Sequence, residues 1–258
     1  MRILIIRHAD PDYTIDSLTE QGEKEAKALA AIARDLNLGD CFVSPLGRAQ
    51  KTASYSLEAT NKKAVTCDWL QEFPAKLYLD QEEKLRDAFD WNSISGSHGD
   101  GSRVVWDLYP EYLADHPEYF HPTAWRDTLV AKNSDMIELY DSIVKNFDEL
   151  LSAYGCIRQG SVYCIEKESR ETVTFFCHFG LASLLLSHLM NCSPFLLWQG
   201  TCLAPSSVSE LWTEERKKGV ASFRAVRLGD ISHLTKEGLA PSFAARFTDV
   251  YSDETLRH

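Results

Sequence analysis

At 258 residues the chain can form one large α/β unit carrying an insertion. Its 44% hydrophobic and 25% charged residues are ordinary for a globular protein in water. The formal charge of −11, from 27 Lys+Arg against 38 Asp+Glu, argues against nucleic acid and anionic membrane as partners. An anionic substrate remains compatible with that balance if a pocket is locally basic.

Arg2 to Arg7 reads as a buried strand, because Ile3-Leu-Ile-Ile6 is continuously apolar and branched, as in parallel sheets. Those four residues are too few for a signal-peptide core, and no stretch approaches the roughly 20 apolar residues of a membrane span. A helix follows: Thr19 can cap it, Glu20 and Glu23 suit its positive end, and Ala26, Leu29, Ala30, Ala33 and Leu36 recur at helical spacing. Asn37 and Gly39 end it. Cys41-Phe-Val43 predicts a second strand, and Ser44 is read as the N-cap of the next helix, with Pro45 in its first turn. Ala64 to Leu70 reads as a third strand. This β-α-β-α-β opening implies a parallel sheet with right-handed crossovers.

From Phe73 to about Asn133 the periodicity loosens, and Trp91, Trp106 and Trp125 accompany four tyrosines and the Gly-rich stretch Ser95 to Gly101. We read this as an inserted helical cap with a mobile loop, whose aromatics are mostly its core, a few lining an apolar pocket. Ser134 to Ala153 predicts a long amphipathic helix, Val162 to Ile165 and Thr172 to Cys177 strands, and Gly180 to Met190 a buried helix. Val208 to Thr213 and Ser222 to Arg227 read as a closing hairpin. The seven cysteines are odd in number and form no Cys-x-x-Cys pair, so they are expected to be buried thiols in a reducing cytoplasm.

Four short segments fall where strands feed loops, the edge at which open α/β sheets bind ligands. They are Arg7-His8, Arg48 in a helix's first turn, Glu72 just past the third strand, and His178 at the end of Thr172 to His178. Arg48 is unusual, because a cation opposes the helix dipole there and, if buried, asks for an anion nearby. No single segment identifies a site; two histidines, two arginines and a carboxylate at equivalent positions do.

Arg7-His8, Leu18-Thr-Glu-Gln-Gly22, Ser44-Pro-Leu-Gly-Arg48-Ala-Gln-Lys-Thr52-Ala and Cys177-His-Phe-Gly180 together resemble the histidine phosphatase superfamily, also called phosphoglycerate-mutase-like. The likeness covers roughly residues 1–72 and 160–235. With the pattern above it implies an α/β fold: three layers, α/β/α, around a mostly parallel sheet, as a single domain over 1–258 with the cap inserted at about 73–133. It further implies that His8 attacks phosphorus and becomes a phosphohistidine, that Glu72 protonates the leaving oxygen, and that Arg7, Arg48 and His178 hold the phosphoryl oxygens, with neither metal nor cofactor. The partner implied is a small phosphorylated substrate; oligomeric state is not legible.

Those roles are physically coherent. Adjacent guanidinium groups disfavour imidazolium and keep a nucleophilic histidine neutral. A proton donor at neutral pH needs a raised pKa, so Glu72 should be partly desolvated; Asp68, Glu82 and Glu83 are alternative acids. Two departures from the family pattern stand out: Ala9 replaces the usual glycine after the first histidine, and Phe179 follows the second.

Within the family, the cofactor-dependent phosphoglycerate mutases carry Asn and Trp in a long segment after the first motif. Residues 9–17 here contain neither, and Phe73-Pro-Ala75 replaces the basic-aromatic stretch beyond the acid. The expected activity is therefore phosphomonoester hydrolysis. The alternatives are a catalytically silent member binding a phospho-ligand or a protein, and a phosphoglycerate-type mutase. There is no phosphate-cradling Gly-rich Lys-Ser/Thr loop, no Gly-x-Ser-x-Gly and no His-Glu-x-x-His. His98, His116 and His121 lack paired metal-ligand spacing, and His233 reads as a hydrogen-bonding residue near the site.

Overall fold

The computed structural model describes residues 1–78, 83–89 and 102–242. One eight-stranded sheet organises the chain: β1 Arg2–Arg7, β2 Asp40–Val43, β3 Ala64–Thr66, β4 Cys156–Gln159, β5 Val162–Ile165, β6 Thr172–Cys177, β7 Val208–Lys217 and β8 Val220–Asp230. In space the order is β3-β2-β6-β1-β7-β8-β5-β4. The β3-β2-β6-β1 half is parallel and the remaining pairs are antiparallel. Six of the eight strands thereby run with β1, so the α/β class and the mostly parallel sheet stand as read.

The continuous apolar run of β1 is explained by cover on both faces. Leu4 and Ile6 pack with Phe176, Val43 and Val208 against α1 (Glu20–Leu36) and α2 (Gly47–Thr60), through Leu29, Ala33 and Leu36 of the first and Ala49 and Ala53 of the second. Ile3, Ile5, Val173 and Phe175 point to the other face and are at most 1% exposed. Each such side chain contributes about 2 kcal/mol of burial. No helix among the described residues is long and apolar enough to cross a membrane.

The chain divides into two compact units, one of Met1–Glu72, Asp148–Ala182 and the part from Cys202 onward, the other of Phe73–Phe147 and Ser183–Thr201. Helices α3 (Met136–Ser152) and α4 (Phe179–Met190) each carry residues of both. The second unit has an aromatic core. Tyr119, Trp125 and Phe195 are almost wholly buried, Tyr119 lies edge-on to Phe195 at 4.9 Å, and Phe73, Trp106 and Trp198 are mutually within 6.3 Å. Phe195 and Trp198 come from α5 (Pro194–Gly200), a helix the sequence reading did not anticipate. Trp91, His98 and the Gly-rich stretch Ser95 to Gly101 lie outside the described residues.

Several local readings need correction. Ser44 does not cap α2. Its N–H belongs to the sheet, donating to the Phe176 carbonyl, and the helix starts only at Gly47, with Leu46 at the cap position, whose own side chain makes no capping bond. The third strand stops at Thr66, and Asp68–Leu70 forms a 3-10 turn. The hairpin is longer than read, because its far end, Glu214 to Lys217, is exposed enough to carry charge. Strand β4 was missed, its four residues being too few to show alternation. All seven cysteines are free, but only Cys41, Cys156 and Cys177 are buried, while Cys202 is exposed.

Candidate active site

Strands β1 and β6 are adjacent and in register, Arg7 opposite Cys177, so the residues that follow them emerge side by side. His8 donates its N–H to the Cys177 carbonyl, and the rings of His8 and His178 lie 5.1 Å apart between centroids. Both are buried, at 2% and 0% exposure.

The His8 ring has a defined polarity. Its Nδ1 lies 2.7 Å from the Ala9 carbonyl oxygen. A carbonyl can only accept, so Nδ1 carries the proton and Nε2 is left with its lone pair. Burial, then the neighbouring Arg7 and His178, hold the imidazole well below its ordinary pKa. His178 is pushed down to about 2, by burial first and then by Arg48 and Arg7. Both rings are therefore neutral at any ordinary pH.

Ser44, the residue displaced from its expected cap, is 2.7 Å from His178 Nε2. Its Oγ also accepts the Leu46 N–H. No sequence pattern marks this contact, since it needs β2 and β6 paired. Among the described residues, the buried side-chain nitrogens without a hydrogen-bond partner are Arg7 Nε, Arg48 Nε and His178 Nδ1. An unmet buried polar group costs about 1–3 kcal/mol, and the charges of Arg7 and Arg48 both act on His178.

Each arginine is braced by a different device. Arg7 donates to the Leu203 carbonyl at 2.6 Å, and Phe179 lies 5.5 Å from its guanidinium carbon as a cation–π partner. The phenylalanine that departs from the family pattern thus supports an arginine. Arg48 pairs with Asp16 at 2.6 Å, under the ring of Tyr13 at 5.3 Å. The same Asp16 carboxylate accepts the Gly47 N–H at 2.6 Å. The anion that Arg48 called for at a helix N-terminus is partly supplied by the chain itself, from a residue with φ +45° that sequence reading passed over.

The Leu-Thr-x-x-Gly motif is explained by close approach. A Cβ at Gly22 would sit 2.2 Å from the Asp10 carbonyl oxygen, so α1 can press against the loop after His8 only with glycine there. Thr19, the α1 N-cap, also holds Asp10, through its N–H to the carbonyl and its hydroxyl to the carboxylate. Ala9 is tolerated in place of glycine because its φ is not positive and its methyl packs with Leu18 and Ala26.

Glu72 is half-buried, and its Oε1 accepts the Leu181 N–H in the first turn of α4 at 3.0 Å. That bond carries the carboxylate to the helix His178 leads into. Asp68 is exposed on the 3-10 turn, Glu82 lies outside the described residues, and of Glu83 only the backbone is described. His233 bonds the Ser206 hydroxyl, and the Ser206 N–H donates to the His8 carbonyl, so this histidine supports the backbone at His8.

Residues 3–98 match the model of the Histidine phosphatase superfamily (branch 1). That match covers the first of the two stretches in which the sequence motifs resemble the same superfamily. A 2,3-bisphosphoglycerate-dependent phosphoglycerate mutase of Mesorhizobium japonicum is 30% identical over 40% of this chain, and the match spans about half (50%) of that relative's length. Among solved structures, a mycobacterial glucosyl-3-phosphoglycerate phosphatase has a TM-score of 0.55 at 18% identity, covering 88% of this chain and 98% of its own. A phosphoserine phosphatase of Entamoeba histolytica, solved with phosphoserine, has the same score at 14% identity, covering 90% and 98%. At these identities the likeness to both structures is one of fold alone.

Proposed function

We propose that this chain is a phosphomonoesterase of the histidine phosphatase type, which hydrolyses a small phosphorylated substrate through a phosphohistidine on His8. The observation that carries the reading is the fixed tautomer of His8, Nδ1–H on its own Ala9 carbonyl and a free Nε2 lone pair, beside the unmet Nε donors of Arg7 and Arg48. Arg7, Arg48 and His178 bind the phosphoryl oxygens, which spreads the transition-state charge over fixed donors. Nε2 bonds to phosphorus as the ester P–O bond breaks, and Glu72 gives its proton to the leaving oxygen. Glu72 then takes a proton from water, whose oxygen attacks phosphorus, and the P–N electron pair returns to Nε2. The insertion at about 73–133, within a single domain over 1–258, selects the leaving group.

The test is phosphate release from an aryl phosphate and a panel of metabolite monophosphates by wild type and His8→Ala, with chelator present. Turnover that survives chelation and disappears in His8→Ala supports the mechanism. Folded protein with no turnover on any substrate favours the silent phospho-ligand or protein-binding reading. The mutase reading draws on the Mesorhizobium relative; phosphoryl exchange between phosphoglycerates outpacing phosphate release would favour it.

A further inference from the structure

One buried carboxylate is left out of that chemistry. Glu25, on the second turn of α1, is 0% exposed. Its Oε2 accepts the N–H of Asp10 at 2.9 Å. That N–H belongs to the same peptide group as the Ala9 carbonyl, whose oxygen accepts the proton of His8 Nδ1 at 2.7 Å. A trans peptide places its C=O and N–H on opposite sides. One amide therefore joins the nucleophile on one side to a carboxylate on the other.

We infer that Glu25 is a positioning residue that acts on His8 through the Ala9–Asp10 peptide group. The inference rests on the phosphohistidine reading above. Hydrogen bonds in series polarise one another, the more so where water is excluded. A carboxylate on the N–H draws that proton's charge and makes the carbonyl oxygen a stronger acceptor. The Nδ1–H bond is strengthened in turn, and Nε2 becomes a better electron donor. As Nε2 bonds to phosphorus the ring becomes a cation with Nδ1–H in place, and the polarised carbonyl stabilises it. No proton passes to Glu25. This resembles the way a ring-orienting partner tunes a metal-bound histidine, whose loss costs about 10- to 100-fold, with a peptide unit interposed.

Glu25 is also placed to make the effect pH-dependent. Burial, then the carboxylate of Asp10, raise its pKa to about 7, while the Asp10 N–H lowers it, as do the uncharged neighbours Gln21 and Ser242. The cation it faces is Arg7 on β1. Either form of Glu25 can accept the Asp10 N–H, but only the ionised form adds charge to the chain of bonds.

The experiment is nitrogen-15 NMR of histidine-labelled protein from about pH 5 to about pH 9, following His8 Nδ1–H, assigned by its loss in His8→Ala. In wild type the Nδ1 resonance should shift with a midpoint near 7 while Nε2 stays unprotonated. Glu25→Gln, which can still accept the Asp10 N–H, should abolish that titration. In the same variant kcat/KM should fall about tenfold above neutral pH and lose its rise through pH 7, with the inhibition constant of inorganic phosphate unchanged. A His8 Nδ1 signal that is flat with pH in wild type, or identical in wild type and Glu25→Gln, overturns the inference, the first needing no variant at all. The NMR arm does not depend on turnover, so an inactive wild type with a titrating Nδ1 would sink the phosphatase reading and leave the coupling standing.

Discussion

Asp16 grips Arg48 and the start of its helix with one carboxylate, Oδ1 on the guanidinium and Oδ2 on the Gly47 N–H, both at 2.6 Å. The pair joins the loop after β1 to the first turn of α2 and fixes where one of the two arginines can reach. Asp16→Ala should lower kcat/KM about tenfold, mainly through KM. It should also destabilise the fold by about 1 kcal/mol, the usual value of a lost helix cap. Steady-state kinetics and denaturant titration check both, and unchanged KM would show that Arg48 is placed by other means.

His233 is held neutral by burial, with its pKa lowered to about 4. An unfolded-chain histidine takes up a proton near pH 6.5. Between those values the unfolded state binds more protons, so stability falls as pH drops through the window and is fully present above 6.5. The stability lost on acidification through that window is about 3 kcal/mol for a shift of this size. His233→Gln should flatten the decline in Tm between neutral pH and pH 4.5. A decline as steep as in wild type would assign it to other groups, with His8 and His178 the first to examine.

Glu72→Gln should slow esters with poor leaving groups far more than aryl phosphates, since only the former need a proton. A loss of about 100-fold on an alkyl phosphate against a few-fold on an aryl phosphate is expected from general-acid catalysis. Equal losses on both would move the acid role elsewhere.

Gly22→Ala should cost about 2 kcal/mol or more, because the new methyl must displace the Asp10 backbone rather than a flexible side chain. Activity should fall beyond what the lost stability explains, as Asp10 lies two residues from His8. Thermal melts and kinetics at a temperature where the variant is folded separate the two effects. A variant as stable as wild type would mean that α1 can shift away from the loop.

What the sequence made legible was local. Arg2–Arg7, Glu20–Leu36 and Thr172–Cys177 announce themselves by apolar continuity or helical period, and the placing of Arg7, His8 and His178 where strands end follows from position. What it hid was pairwise. Ser44 looks like a helix cap in one dimension and is a hydrogen-bond partner of His178 in three, because only the pairing of β2 with β6 brings the two together. Asp16 and Glu25 were equally invisible as functional residues, being ordinary acids in a loop and a helix until their partners are known. The second unit's core was half legible: its aromatics were evident, but Phe195 and Trp198 arrive from a distant segment of chain.

The strand order also dictates when a working site can exist during folding. Between β1 and β2, neighbours in the early chain, sits β6, so the sheet's central gap is filled by a segment about 130 residues later. Closing a loop of that length is slow on the folding timescale and gives no return until it is complete. Until then both β1 and β2 present bare edges, the kind that invite pairing with other chains. A nascent or truncated polypeptide ending before β6 would hold the whole segment matched to the superfamily, including His8 and Arg48, and still be an aggregation hazard rather than a weakened enzyme. The middle of the sheet and the pairing of His178 with Ser44 are thus delivered by the same late strand.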